Sequence, residues 1–243
     1  MSDKSLTGGV LQAVTAGAAS AAAAGVGAGT AAGAAAAVAA GVTAGSALTI
    51  LSSFVKHSSN ADALPSAVRA YQRYAQVNPD LIRNPHLYFV DFGLDNKTKR
   101  GWVFDMEKLK LVAGPFAVAH GKGSGERDGI PTRFLNEPNS KATSLGLYLT
   151  LNSYEFHKYD TLGLRLKGES GGFNDAAYDR RIVVHGASYV SLERAGQSWG
   201  CPAVEVNLAN RLLPKLAKGA VVFLYSPLDQ AWLSGDPWLK LDS

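Results

Sequence analysis

A chain of 243 residues is long enough for one well-buried domain of ordinary size together with an additional segment. Its formal net charge of +4 is spread along the chain, without the aromatic and basic clusters of a nucleic-acid-binding surface, so we expect no nucleic-acid partner. A single cysteine excludes an internal disulfide framework, and neither a second cysteine nor a closely spaced histidine pair would complete a metal site. The lone thiol is therefore an inert buried group, an adventitious ligand or a nucleophile.

Residues 1–55 differ in composition from the rest of the chain. No charged residue occurs between Ser5 and Val55, where alanine and glycine dominate. Small residues recur there in one four-residue register: Gly17, Ala21, Gly25, Gly29, Gly33, Ala37, Gly41 and Gly45. Positions four apart share a helix face, so this register predicts a face where a second helix can pack closely. The segment resembles glycine-zipper membrane segments, and residues 8–55 are long enough for a membrane-associated helical hairpin, since one span needs ~20 residues.

A disordered leader rich in alanine and glycine is the alternative interpretation of the same segment. The sequence is a poor secretory signal, because an aspartate offsets the lysine of MSDK and no leucine-rich stretch follows. The route out of the cytoplasm and the cleavage of the leader therefore stay open.

Residues 56–80 predict a short helical lead-in to the main domain. The stretch ALPSAVRAYQRYAQ has a proline near its start and places Val68, Tyr71 and Ala75 at the spacing of an amphipathic helix. The prolines of NPD and RNPH then separate this helix from a domain predicted over residues 81–243.

Short apolar runs bounded by turn residues predict strands through this domain. In chain order they are HLYFVDFG, RGWVFDME, KLVAGPFAVAH, SLGLYLT, YEFHKY, LGLRLKG, RRIVVHG and AVVFLYS. One helix is expected in VNLANRLLPKLAKG, with Asn207 as its N-cap, Gly219 as its stop and Pro214 as a kink or an early end. The pattern favours a mainly β domain of sandwich or barrel type with a few short helices.

The cysteine lies in GQSWGCP, downstream of a histidine that ends the apolar run RRIVV. A thiol needs a neighbouring base to react near neutral pH, and a strand can hold His185 rigidly enough to serve Cys201. Gly200 lets the backbone approach a substrate, and the N–H groups of Gly200 and Cys201 could donate to an oxyanion. These residues indicate acyl transfer, although a cysteine and a histidine also describe buried filler or half of a metal site.

The segments RRIVVHGASYVS and GQSWGCPAV resemble the active-site region of bacterial L,D-transpeptidases of the YkuD type, in which His-Gly precedes Ser-His-Gly-Cys. The blocks AHGKGSG, TSLGLYLT, LGLRLKGE and FND are similar to further parts of that family in the same order. The resemblance covers about residues 62–226 and implies an L,D-transpeptidase-like β fold.

The resemblance also implies chemistry on peptidoglycan stem peptides without a metal or an organic cofactor. The family's cysteine attacks the carbonyl of the third stem residue, a diamino acid, and expels the terminal D-alanine to leave a thioester. An amine of a neighbouring stem then forms a crosslink, whereas water makes the enzyme an L,D-carboxypeptidase. Carried onto this chain, Cys201 is the nucleophile and His185 the general base and acid. Gly186 takes the position whose carbonyl orients the imidazole, Gly200 contributes to the oxyanion pocket, and Ser198 either donates a hydrogen bond there or forms a turn.

Two positions depart from the family pattern. Trp199 stands where the commoner motif has a second histidine, and we expect it to pack against substrate and exclude water. Pro202 stands where an Ile-Arg pair often begins, which leaves open how a substrate carboxylate is held. Arg165, Arg180 and Arg181 are the candidates, of which we assign Arg181 to the substrate site.

Three functions fit the sequence. The first is a periplasmic L,D-transpeptidase of the bacterial cell envelope, anchored by its N-terminal helices. The second keeps the same chemistry in an antibacterial effector exported by a specialised secretion system. The third is a non-catalytic wall-binding module in which Trp199 and the loops hold stem peptides.

Overall fold

The computed structural model describes residues 44–240, in which four α-helices and ten strands occur. The helices are α1 (Ala44–Ser52), α2 (Ala63–Val77), α3 (Val206–Leu216) and α4 (Gln230–Gly235). The strands are β1 (His86–Asp91), β2 (Gly101–Asp105), β3 (Lys110–Phe116), β4 (His120–Gly121), β5 (Gly146–Phe156), β6 (Thr161–Gly168), β7 (Val183–Gly186), β8 (Gln197–Ser198), β9 (Ala203–Val204) and β10 (Val221–Tyr225). Short 3-10 helices cover Lys122–Ser124, His157–Tyr159 and Asp175–Ala177.

Eight of these strands form one sheet in the order β3-β2-β1-β10-β5-β6-β7-β9, and β4 pairs with β8 separately. Neighbours in the large sheet are antiparallel except for β1 with β10 and β7 with β9. A bridge between Ala119 and Ala203 ties the chain after β3 to β9, so the sheet nearly closes on itself. The predicted mainly β architecture with a few short helices is confirmed.

The core lies between the sheet and the helices that cover it. Strands β2 and β10 are buried at every position, which explains why they read as continuous apolar runs. Helix α2 packs against β1 and β10 through a face that includes Leu64, Val68 and Tyr71, at the spacing of an amphipathic helix. Helix α3 covers β6 and β7 with Ala209 and Leu212 among its buried residues, next to the strand that carries His185.

Several local predictions differ from the structure. Helix α3 ends at Leu216 with Ala217 as its C-cap, before the predicted stop at Gly219. The run SLGLYLT and the first half of YEFHKY belong to the single strand β5, which continues through a register shift between Thr150 and Ser153, and the second half of YEFHKY forms the 3-10 helix His157–Tyr159. The N-cap of α3 is Glu205 instead of Asn207, because the Glu205 carboxylate accepts the N–H groups of Asn207 and Leu208 at the start of the helix.

Helix α1 is the described end of the segment rich in alanine and glycine. It packs against α2 and β3, with Ala47 and Leu51 buried. The remainder of the predicted zipper face, and most of the predicted membrane segment 8–55, lie outside the described residues. Over residues 44–240, no helix combines the length and the apolar character that crossing a bilayer requires. The division of the chain at residues 55 and 80 stays a prediction.

Candidate active site

Strands β7 and β9 bring His185 and Cys201 to one cavity. The backbone of His185 pairs with Ala203, which follows Cys201 by two residues, so the parallel pairing fixes the two side chains on neighbouring chain segments. Both residues line a cavity of about 830 Å³. Cys201 is partly exposed as a residue, whereas His185 is only 4% exposed.

The imidazole of His185 is held from several sides. Its Nδ1 donates to the carbonyl oxygen of Gly186 at 2.8 Å, and a carbonyl can only accept, so Nε2 carries the free lone pair. The ring stacks on Phe156 with 4.5 Å between centroids, and the parallel ring of Tyr159 lies 5.9 Å away. A Cβ at Gly186 would lie 2.5 Å from Thr161 Oγ1, so a larger residue here would force neighbouring atoms to shift. The predicted carbonyl partner therefore lies in hydrogen-bonding contact with the imidazole.

Two hydrogen bonds of Ser198 hold the loop that carries Cys201 in place. Buried Ser198 donates from Oγ to the carbonyl of Cys201 at 2.6 Å and accepts the N–H of Gly200 at 3.1 Å. Gly200 has φ +117°, and a Cβ there would lie 2.8 Å from the carbonyl oxygen of Ala142. The loop thus takes a conformation that requires glycine.

This arrangement alters the predicted oxyanion pocket. The N–H of Gly200 is engaged by Ser198 inside the loop. The N–H of Cys201, by contrast, makes no hydrogen bond within residues 44–240. Of the two predicted donors, Cys201 is the one that faces no competing acceptor in this conformation. Ser198 forms the turn and does not direct its hydroxyl hydrogen at a substrate atom.

The thiol and the imidazole are both neutral at rest. Burial raises the pKa of the Cys201 thiol, an effect that exceeds the opposing hydrogen bond from Val183 and the positive charge of Arg180. Burial also lowers the pKa of His185, and the ammonium of Lys158 adds to this effect against the hydrogen bond to Gly186. The thiol donates weakly to the carbonyl of Arg181, with 3.9 Å between sulfur and oxygen. Among the described residues the sulfur and the imidazole share no hydrogen bond, so the thiol would have to turn from this carbonyl toward Nε2 to transfer its proton.

Trp199 is the exposed residue of the loop, with 71% of its surface accessible. The Nζ of Lys141 lies 5.0 Å from its ring centroid and the Nζ of Lys158 lies 5.8 Å away. All three side chains line the same cavity as Cys201. Trp199, Lys141 and Lys158 thus form a cationic rim of the cavity with the indole at its centre.

The three candidate arginines have different surroundings. The guanidinium of Arg180 donates to the segment Leu135–Ala142, including the carbonyls of Leu135 at 2.9 Å and Ala142 at 2.8 Å. Arg165 lies over the ring of Tyr154, 4.7 Å from its centroid. Arg181 is exposed, has φ +58° and lines the cavity. Of the three, Arg180 is engaged in holding a loop, and Arg181 is the exposed arginine that lines the cavity.

Sequence reasoning missed Lys141, Lys158 and Tyr159 as cavity residues. No local signal marked them, because lysines in turn-rich stretches are usually solvated and YEFHKY was interpreted only as a strand. It also missed a buried network behind the loop, in which Arg100 donates to Nδ1 of His120 at 3.1 Å. Over residues 44–240, no three His, Cys, Asp or Glu side chains are grouped as a metal site would require.

Comparison with known protein families assigns the chain to one family. Residues 55–225 match the family described as the L,D-transpeptidase catalytic domain. Because the match spans well over half of the chain, this protein belongs to the L,D-transpeptidase catalytic domain family, as the sequence resemblance predicted. Among curated proteins, none matches the chain.

Three solved structures are similar to this chain. Bd1075 of Bdellovibrio bacteriovorus is 16% identical over 58% of this chain and 48% of its own, with a TM-score of 0.38. An L,D-transpeptidase (Yku) of Stackebrandtia nassauensis is 16% identical over 67% of this chain and 68% of its own, with a TM-score of 0.35. An L,D-transpeptidase of Xylanimonas cellulosilytica is 18% identical over 66% of this chain and 79% of its own, with a TM-score of 0.33. This chain therefore spans about half the length of the Bdellovibrio protein.

Proposed function

We propose that this protein transfers acyl groups between peptidoglycan stem peptides through a thioester on Cys201. Membership of the L,D-transpeptidase catalytic domain family supports the reaction class. The observation that supports the residue assignment is the shared cavity of Cys201 and His185, in which Nε2 of the imidazole keeps its lone pair.

The first half-reaction forms the thioester. The thiol of Cys201 passes its proton to Nε2 of His185 as the sulfur bonds to the carbonyl carbon of the third stem residue. The oxyanion accepts the N–H of Cys201. The C–N bond to the terminal D-alanine then breaks, and the imidazolium returns the proton to the departing amine.

The second half-reaction consumes the thioester. An amine of a neighbouring stem attacks the same carbonyl and loses a proton to Nε2 of His185. The C–S bond then breaks, and the imidazolium reprotonates the sulfur. With water in place of the amine, the product is a free tripeptide and the activity is that of an L,D-carboxypeptidase.

The test uses the full-length protein with disaccharide tetrapeptides and mass spectrometry of the products. Loss of D-alanine with a crosslinked dimer supports transpeptidation, and loss without a dimer supports the carboxypeptidase reaction. Cys201→Ala should abolish both while leaving the melting temperature close to that of the wild type. Appreciable activity in that variant would contradict the assigned nucleophile, and an inactive wild-type protein that still binds the peptides would favour a wall-binding module.

We also propose that the protein acts in the cell envelope, where its substrate lies, and that residues 8–55 associate it with the membrane. Fractionation of cells that express either the full chain or a variant without residues 8–42 tests this. We expect the full chain with the membrane and the variant in the soluble fraction. A full-length protein found wholly in the soluble fraction would overturn the membrane part of the proposal.

A further inference from the structure

Two lysine side chains converge on one indole at the rim of the cavity. The Nζ atoms of Lys141 and Lys158 lie 5.0 and 5.8 Å from the ring centroid of Trp199, within cation–π range. An indole positions an ammonium without neutralising it. Neither ammonium forms an ion pair with a carboxylate in the described part of the chain. The rim therefore carries two positive charges that the fold orients and leaves unneutralised.

Lys158 lies on the imidazole side of the cleft. Its Nζ is 5.3 Å from the ring centroid of Tyr159, and that ring is parallel to the imidazole of His185 at 5.9 Å. The two lysines come from separate parts of the chain. The backbone of Lys141 is fixed by the hydrogen bond that its carbonyl accepts from Gly123 at 2.9 Å. Lys158 is therefore connected to the histidine through Tyr159, whereas Lys141 is positioned by its own loop.

The proton transfers of His185 determine which substrate groups lie on the imidazole side of the cleft. Nε2 of His185 gives a proton to the departing amine and takes a proton from the attacking amine, so both nitrogens occupy the same place beside it. The departing D-alanine carries a carboxylate one carbon from its amine. Lys158, whose ammonium lies against the ring that is parallel to the imidazole, is the lysine placed toward that carboxylate.

We propose that Lys158 and Lys141, oriented by Trp199, bind the carboxylate of the amino acid that leaves and of the amine that replaces it. This inference rests on the proposed transpeptidase function. The two lysines would replace the arginine that this chain lacks after its cysteine. The same subsite would favour acceptors whose attacking amine is adjacent to a carboxylate, as it is in a D-amino acid.

The test compares two donors that differ only in the terminal group, a tetrapeptide ending in D-alanine and one ending in D-alaninamide. We expect the full-length wild-type protein to favour the carboxylate in kcat/KM by about tenfold or more, the effect of a hydrogen bond to a charged group. In the double variant Lys141→Gln, Lys158→Gln this ratio should fall toward one. Lys158→Arg keeps the charge and should retain most of the preference. Lys97→Gln, at an exposed lysine that does not line the cavity, should retain the wild-type ratio.

The outcomes distinguish a failure of the proposed carboxylate subsite from a failure of the proposed reaction. An unchanged ratio in the double variant, with turnover intact, overturns the carboxylate subsite alone. A wild-type protein that turns over neither donor overturns the proposed function together with the subsite. Because Lys141 and Lys158 are exposed, equal melting temperatures should show that the variants are folded.

Discussion

The imidazole of His185 donates from Nδ1 to the carbonyl oxygen of Gly186 at 2.8 Å, and this bond determines how the ring can serve Cys201. It leaves Nε2 as the only basic atom of the ring. Burial lowers the pKa of His185 and raises that of the thiol, so the resting pair is neutral and no ion pair has to be desolvated before attack.

The neutral pair predicts slow alkylation of the thiol. Since the pKa of Cys201 is raised above its ordinary value of about 9, iodoacetamide should react at pH 7 more slowly than with free cysteine, and the rate should still rise above pH 9. The chain's single cysteine makes intact-protein mass spectrometry unambiguous. A rate that is already at its plateau below pH 7 would show a preformed thiolate and contradict this description.

The charge of Lys158 predicts a shift in the pH profile. Burial and this ammonium both lower the pKa of His185 below 6.5, so the acid limb of kcat/KM should lie below pH 6.5. Lys158→Gln removes a positive charge that disfavours the imidazolium, which should move that limb to higher pH. Lys97→Gln should leave it in place. A limb that moves to lower pH in Lys158→Gln would contradict the assigned electrostatic role.

Two glycines provide a matched test of whether the loop that carries Cys201 requires glycine at position 200. At Gly200 the φ of +117° and a Cβ 2.8 Å from the carbonyl oxygen of Ala142 should make the alanine variant less stable by about 1–3 kcal/mol. The same change at Gly171, where a Cβ meets nothing within 4 Å, should cost much less. Thermal or urea denaturation measures both. Equal effects of the two substitutions would show that the loop can relax around the added methyl group.

Buried His120 predicts a loss of stability in acid. The pKa of this histidine is lowered to about 4, first by burial and then by the charge of Arg100. A group whose pKa is lower in the folded state stabilises the protein above its unfolded value of 6.5 and loses that contribution as the pH falls toward 4. The loss should be on the order of 3 kcal/mol, since one pKa unit is worth about 1.4 kcal/mol.

His120→Gln should therefore flatten the dependence of unfolding free energy on pH between 6.5 and 4. His57→Gln, at an exposed histidine outside the cavity, is the control and should keep the wild-type slope. If the His120 variant keeps that slope as well, another group is responsible for the acid sensitivity.

The sequence predicts what depends on local pattern. The strands around His185 and the amphipathic helix α2 were recognisable from apolar runs and spacing, because burial of their side chains follows the period of each element. The motif around Cys201 identified the family. The cap at Glu205 was missed because both a carboxylate and an asparagine side chain can accept N–H groups at the start of a helix, and spacing alone does not decide which of two positions two residues apart begins the helix.

The cationic rim could not be predicted for a different reason. Lys141 and Lys158 lie in a loop and in a 3-10 helix that are not adjacent in sequence, and they meet only because the fold packs both against the loop of Trp199. Arg180 contributes by holding the loop of Lys141 through hydrogen bonds to Ser140 at 3.1 Å and Ala142 at 2.8 Å. Such long-range convergence leaves no periodic signal in the chain.

The burial of Leu51 affects where the chain can be cleaved without loss of stability. It belongs to the alanine- and glycine-rich segment by sequence, yet its side chain is fully buried in the core of the catalytic unit. Proteolytic removal of α1 would leave an empty volume in that core, and vacating a buried leucine typically costs about 2–5 kcal/mol. We therefore expect a cut upstream of α1 to leave the stability of the domain unchanged, and a recombinant fragment that starts after α1 to be less stable than the full chain.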